Sequence, residues 1–215
     1  MTSAGVIDHE DFRAQALRFL HAHAEPRPEV SRRFGEGSDR IAVFPERSPQ
    51  GDAAEVAAAR DWRSRVYDAG FGWISGPAAY GGRGLSRDYE RLYQRLEAGF
   101  EVPPGRCFGI GLGMIAPTIL AHAADEVKRT HLRAMYRGDL IACQLFSEPA
   151  AGSDLAGIQT RATRDGDEWI LDGQKVWTSG AHYADFGEII TRSSTEVESP
   201  HRGLTMFLVD MRAPG

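Results

Sequence analysis

The sequence predicts an α+β chain in two parts, an all-α amino-terminal helical bundle over residues 1–140 and an antiparallel, barrel-like β domain over residues 141–215. Apolar residues recur at helical spacing up to about Gly138. After about Ile141 they give way to short runs rich in Ile, Thr, Val and Trp, separated by Asp-Gly pairs. An apolar fraction of 42% beside 26% charged residues fits a packed chain and argues against disorder, collagen-like repeats and a membrane protein.

Five helices are expected in the first part. Phe12, Ala16, Phe19 and Leu20 form one stripe, and Val56, Ala59, Trp62 and Val66 another. Between them runs a Pro- and Gly-rich loop from Pro26 to Gly51. Asp52, with Glu55 after it, suits the start of the second helix, and Ser86 suits the start of the next, which carries Tyr89, Leu92, Tyr93 and Leu96. Gly111-Leu112-Gly113-Met114-Ile115-Ala116 matches the dinucleotide pattern G-x-G-x-x-G/A, but that pattern works only between a parallel strand and a helix. Here Val102-Pro103-Pro104-Gly105 precedes it, so it is taken as the flexible start of a buried helix. A last helix begins near Asp125 and ends at Gly138.

In the second part, Ile158–Arg164, Glu168–Leu171 and Gln174–Ser179 are expected strands. The turns at Asp165-Gly166 and Asp172-Gly173 make them an antiparallel meander, because Asp-Gly supplies the positive φ that a tight hairpin needs. Gly187–Arg192 and Leu204–Met211 add two more strands. A sheet of this size has open edges that proteins usually cover or close into a barrel, so the domain reads as barrel-like and incomplete.

Charge and cysteine usage narrow the function classes. With 25 basic against 30 acidic residues the net charge is −5, which disfavours a general grip on nucleic acid or an anionic membrane. The two cysteines, Cys107 and Cys143, have no CxxC spacing, so neither a disulfide framework nor a thiolate zinc site is supported. His21-x-His23 lacks a third ligand at metal spacing. Asp8, Glu10 and Asp11 near the start do not suit a secretory signal, and the apolar stretch Gly109–Ala124 is broken by Pro117 and His122. A cytoplasmic location is the expectation.

Two segments carry candidate chemistry. In Gln144–Asp154, Pro149 fixes a φ angle and Gly152 allows close backbone approach, while Ser147, Ser153 and Asp154 supply polar groups. Such a loop can cradle a phosphate, and it can equally be a plain turn joining helices to a sheet. In Gly173–Gly180, a strand would put Lys175, Trp177 and Ser179 on one face. An indole beside a hydroxyl suits a planar heteroaromatic ligand, although a strand tryptophan is more often core.

Together, Ser147-Glu148-Pro149-x-x-Gly152-Ser153-Asp154 and Asp172–Gly180 resemble the middle domain of the flavin-dependent acyl-CoA dehydrogenases. Pro77–Ser86 resembles that family's loop between amino-terminal helices, and Gly203–Asp210 a later barrel strand. The resemblance implies FAD as cofactor, with Gln144, Leu145, Phe146, Ser147, Gly152 and Ser153 in one flavin segment and Trp177, Thr178 and Ser179 in the other. Ser147 and Ser179 would bond the ring edge, where the family commonly has threonine, and Trp177 would flank the ring. Ser153 would reach the pyrophosphate and also touch substrate.

It also implies α,β-dehydrogenation of an acyl-CoA in fatty acid metabolism, an electron-transferring flavoprotein as acceptor, and a homo-oligomer or a complementary chain. In the family the base is a glutamate in a carboxy-terminal helical domain, which this sequence lacks, so no catalytic residue is expected among residues 1–215. Glu148 is expected to be a structural carboxylate. Two other readings stay open: a noncatalytic flavin- or acyl-CoA-binding module that assembles with a complete subunit, and a flavin oxidase of small acids on the same scaffold.

Overall fold

The computed structural model describes residues 7–28, 48–195 and 197–214. It divides into two compact units, Met1–Gly105 and Arg106–Gly215.

In the first unit, helix α1 (His9–His23) begins where the Asp8 carboxylate accepts a hydrogen bond from the Asp11 N–H at 2.8 Å. Its stripe of Phe12, Ala16 and Leu20 is fully buried. Strand β1 (Glu25–Pro26) follows. Helix α2 (Pro49–Asp68) starts at Ser48, whose hydroxyl accepts from the Gly51 N–H at 3.0 Å, and not at the expected Asp52. Proline is preorganised for the first helical position, so Ser48-Pro49 outcompetes the later acidic residue. Most of the expected Pro26–Gly51 loop, residues 29–47, lies outside the described residues. Helix α3 (Arg87–Glu97) has Ser86 at its N-cap, and β2 (Phe100–Glu101) pairs antiparallel with β1.

The core of this unit is aromatic. Phe12, Leu20, Val66, Phe71, Ile74, Tyr93 and Phe100 are buried together, with Phe71 stacked on Tyr93 at 4.9 Å and edge-on to Phe12 at 5.6 Å. Each such side chain contributes about 1.5–3 kcal/mol through burial.

In the second unit a π-helical turn, Gly111–Ile115, leads into helix α4 (Ala116–His122), as the glycine-rich run implied. Helix α5 (Asp125–Arg137) ends at Gly138, whose φ of 90° an L side chain would resist and whose N–H closes on the carbonyls of Ala134 and Met135. The sheet contains β3 (Ala142–Leu145), β4 (Arg161–Asp165), β5 (Glu168–Asp172), β6 (Phe186–Arg192) and β7 (Leu204–Asp210). Strands β4 and β5 form a hairpin around Gly166-Asp167. Strand β6, buried from Phe186 to Thr191, pairs antiparallel with β7, parallel with β3, and parallel with β4 at Arg161 and Arg192.

Three expectations are corrected. The sheet is mixed, not antiparallel, because the chain leaves β3 and returns along β6 only after a long crossover, which sets the two strands parallel. Gln174–Ser179 is not a strand, and the fifth strand is Ala142–Leu145. No closed barrel is found among the described residues. No helix among them is long and apolar enough to cross a membrane.

Candidate functional site

Strand β3 is anchored at its start. The Asp185 carboxylate accepts from the Ile141 N–H at 2.7 Å, and the N–H groups of Asp185 and Phe186 donate to the Ile141 carbonyl. Ala142 and Cys143 are buried, and Gln144 and Leu145 are half-buried at the strand's far end. The chain then turns. The Glu148 N–H donates to the Ala151 carbonyl at 2.7 Å and the Ala151 N–H to the Glu148 carbonyl at 3.2 Å, which leaves Pro149 and Ala150 exposed at the tip. Phe146 packs over Ala151, Ile158 and Ile190 and so pins the turn to the sheet.

The Glu148 side chain points inward, 5% exposed, and meets the Lys175 ammonium, 6% exposed, at 2.8 Å. It also accepts the N–H groups of Gln159 at 2.6 Å and Thr160 at 3.0 Å. Burial alone would raise its pKa, but Lys175 and those two amides more than offset this and hold the carboxyl at about 2. Lys175 bonds the Phe146 carbonyl at 3.0 Å as well, and the Val176 N–H donates to the Ser147 carbonyl at 2.9 Å. The two sequence-predicted segments are therefore joined.

That clasp explains why Gln174–Ser179 is no strand. Lys175 is drawn inward to Glu148 while Trp177 sits at φ 58°, a left-handed angle incompatible with extended backbone. The entry to the run is equally tight. A Cβ on Gly173 would lie 2.5 Å from Thr160 Oγ1 and 2.6 Å from Thr160 Cα. Lys175, Trp177 and Ser179 thus do not share a face as a period-two pattern implied.

Trp177 is not core: it is 91% exposed. Thr178 is half-buried and Ser179 exposed. Ser147 is half-buried beside Val176, whereas Gly152 and Ser153 lie exposed on the outer limb of the turn, with no hydrogen bond to residues 175–179 among the described residues. The Leu145 side chain packs toward Gly187, which leaves only its backbone for a ligand. Sequence reasoning missed Lys175 as the tie between the segments. Its signal was a lysine set between Gly173 and Gly180, two residues suited to a loop.

These residues fit a flavin. A flat indole is displayed outward, and no hydrogen bond to another described residue engages the hydroxyls of Ser147, Ser153, Thr178 or Ser179. Such a donor set suits a planar ring with polar edges and a phosphate tail.

Comparison with known proteins bears on the family. Residues 143–215 match the family model described as acyl-CoA dehydrogenase, middle domain. The chain is 44% identical over 166 residues to acyl-CoA dehydrogenase FadE34 of Mycobacterium tuberculosis, covering 75% of this chain and 22% of that protein. It is 31% identical over 208 residues to acyl-CoA dehydrogenase IpdE1 of the same organism, covering 97% of this chain and 50% of that one. A crystal structure of acyl-CoA dehydrogenase from Geobacillus kaustophilus superposes on all of the chain and 51% of its own length, with a TM-score of 0.65 and 26% identity. The chain thus spans about half or less of these relatives. On these likenesses of sequence and fold, the chain belongs to the acyl-CoA dehydrogenase family.

Proposed function

We propose that this chain takes part in FAD-dependent α,β-dehydrogenation of an acyl-CoA thioester, supplying the flavin-facing surface and part of the acyl-CoA-binding surface. Residues 1–140 would be the all-α domain and residues 141–215 the β middle domain. The observation that carries this reading is the Glu148–Lys175 clasp, which holds Ser147 and Val176 together and leaves Trp177 projecting.

FAD, when bound, would supply the acceptor for the hydride leaving the β-carbon. Trp177 would flank its ring, while Ser147 and Ser179 bond the ring edge with backbone groups of Gln144, Leu145 and Phe146 nearby. Gly152 and Ser153 would face the pyrophosphate, and Ser153 also the substrate. Thr178 would add a hydroxyl to the second segment. The Phe146 carbonyl already accepts one bond, from Lys175, and keeps a second lone pair for a ligand.

Removal of the α-proton needs a carboxylate with a raised pKa and room to reach substrate. Glu148 offers neither, being held at about 2 by Lys175 and two backbone amides against the cost of burial. The base would come from outside these 215 residues, supplied by further sequence or by a complementary chain. An electron-transferring flavoprotein would reoxidise the flavin, and the assembly would work in the cytoplasm as an oligomer.

The locked Glu148 also supports a second reading, a noncatalytic flavin- or acyl-CoA-binding module that partners a complete subunit. One experiment separates them. The chain is loaded with FAD, and acceptor reduction by acyl-CoA is measured with and without a separately expressed carboxy-terminal half from a relative. Restored turnover supports the enzyme, and tight association without turnover supports the module. A folded chain that retains no flavin in either setting sinks both.

A further inference from the structure

Between α4 and strands β6 and β7 lies a hollow of about 160 Å³, walled by Ile119, Met206 and Leu208 with the exposed His122 beside them. Glu188 of β6 lines the same hollow. It is 4% exposed, and no hydrogen bond or ion pair with another described residue engages its carboxyl. Alternation along β6 puts it on the face of Phe186 and Ile190, both buried, so an acid stands where the pattern calls for an apolar side chain. Leu208 and Gln144 are its partners in the flanking strands, and neither carries charge. Of the side chains around the hollow, only His122 titrates besides Glu188 itself.

A carboxyl buried without a partner is disfavoured, and more so when ionised. The cost is recovered when a ligand supplies the missing donor. An anion is repelled, and a divalent metal ion needs several oxygen ligands where the side chains around this hollow offer one carboxylate and the Thr118 hydroxyl. The apolar wall calls for carbon. A cavity of about 150 Å³ accepts benzene, so the hollow suits a stem of that size.

We infer that this hollow binds a small organic cation, with Glu188 taking an ammonium or guanidinium head and Ile119, Met206 and Leu208 enclosing an apolar stem. The flavin reading makes no use of Glu188, so the two stand or fall separately. Burial pushes the Glu188 carboxyl up from its ordinary pKa, so the cation must displace a proton at low pH and binds more tightly as pH rises.

The probe is benzylamine, with benzyl alcohol as its neutral near-isostere, followed by amide NMR shifts in the wild-type chain and in Glu188→Gln. Saturable shifts at residues 118–123, 188 and 206–208 are expected for the ammonium. Affinity should fall about tenfold or more for the alcohol and for Glu188→Gln, as the charged hydrogen bond is lost. Wild-type affinity should also climb with pH. Equal binding of the alcohol, undiminished binding to a folded Glu188→Gln, or no saturable shift at any pH overturns the inference. Were Glu188→Gln not to fold, the alcohol comparison and the pH series on the wild-type chain still decide.

Discussion

Replacing Glu148 by Gln keeps the side chain's length and removes its charge. The wild-type carboxylate accepts three hydrogen bonds, from Lys175 Nζ and from the N–H groups of Gln159 and Thr160. An amide accepts on one oxygen only, so its NH₂ would face a donor wherever it turned, and the Lys175 ammonium would stay buried without a counter-charge. The fall of the Glu148 pKa from an ordinary 4.5 to about 2 corresponds to about 3 kcal/mol, at about 1.36 kcal/mol per pH unit. That agrees with the roughly 3–5 kcal/mol lost when one partner of a buried pair is removed. Because the pKa is lowered on folding, this stabilisation is present above 4.5 and disappears as pH falls toward about 2. Urea unfolding of both proteins across that range should show a gap of about 3 kcal/mol near neutral pH that closes on acidification. A neutral-pH gap below about 1 kcal/mol, or one that stays constant down to about pH 2, would refute the clasp as an ion pair.

Other perturbations probe the rest of the molecule. Trp177→Gly should relieve about 1 kcal/mol of left-handed strain while weakening FAD retention by about 1–3 kcal/mol, measured by flavin fluorescence on dilution; unchanged retention would remove the indole from the site. Gly173→Ala should cost about 1–3 kcal/mol in urea unfolding, because its Cβ would lie 2.5 Å from Thr160 Oγ1, and wild-type stability would mean that the approach is loose. Glu188→Gln should match the wild type in melting temperature at acid pH and exceed it as pH rises. Burial raises the wild-type pKa, so the protonated form's advantage is full below the ordinary value and is lost on ionisation. A melting difference that does not vary with pH would mean Glu188 stays in one protonation state.

What could be read in advance was whatever local spacing encodes. Phe12, Ala16 and Leu20 announce the buried face of α1, Gly138 the end of α5, and Asp165-Gly166 the β4–β5 hairpin. The run from Gln174 to Ser179 misleads for a physical reason. Its alternation is that of a strand, but its course is decided by an ion pair to Glu148, 27 residues away, which no local pattern contains. Strand β3 is similarly hidden, because it is four residues long and draws its order from β6 alongside. Both segments of the candidate site were legible through family likeness. The lysine that binds one to the other was not.

The clasp closes the root of the β4–β5 ribbon, since Gln159 and Thr160 lead into β4 and Lys175 follows β5. The far tip at Gly166-Asp167 therefore owes nothing to the geometry of the candidate site. Residues could be added or deleted there without altering the separation of Ser147 and Trp177, which frees that end to diverge, carry a tag or meet another protein.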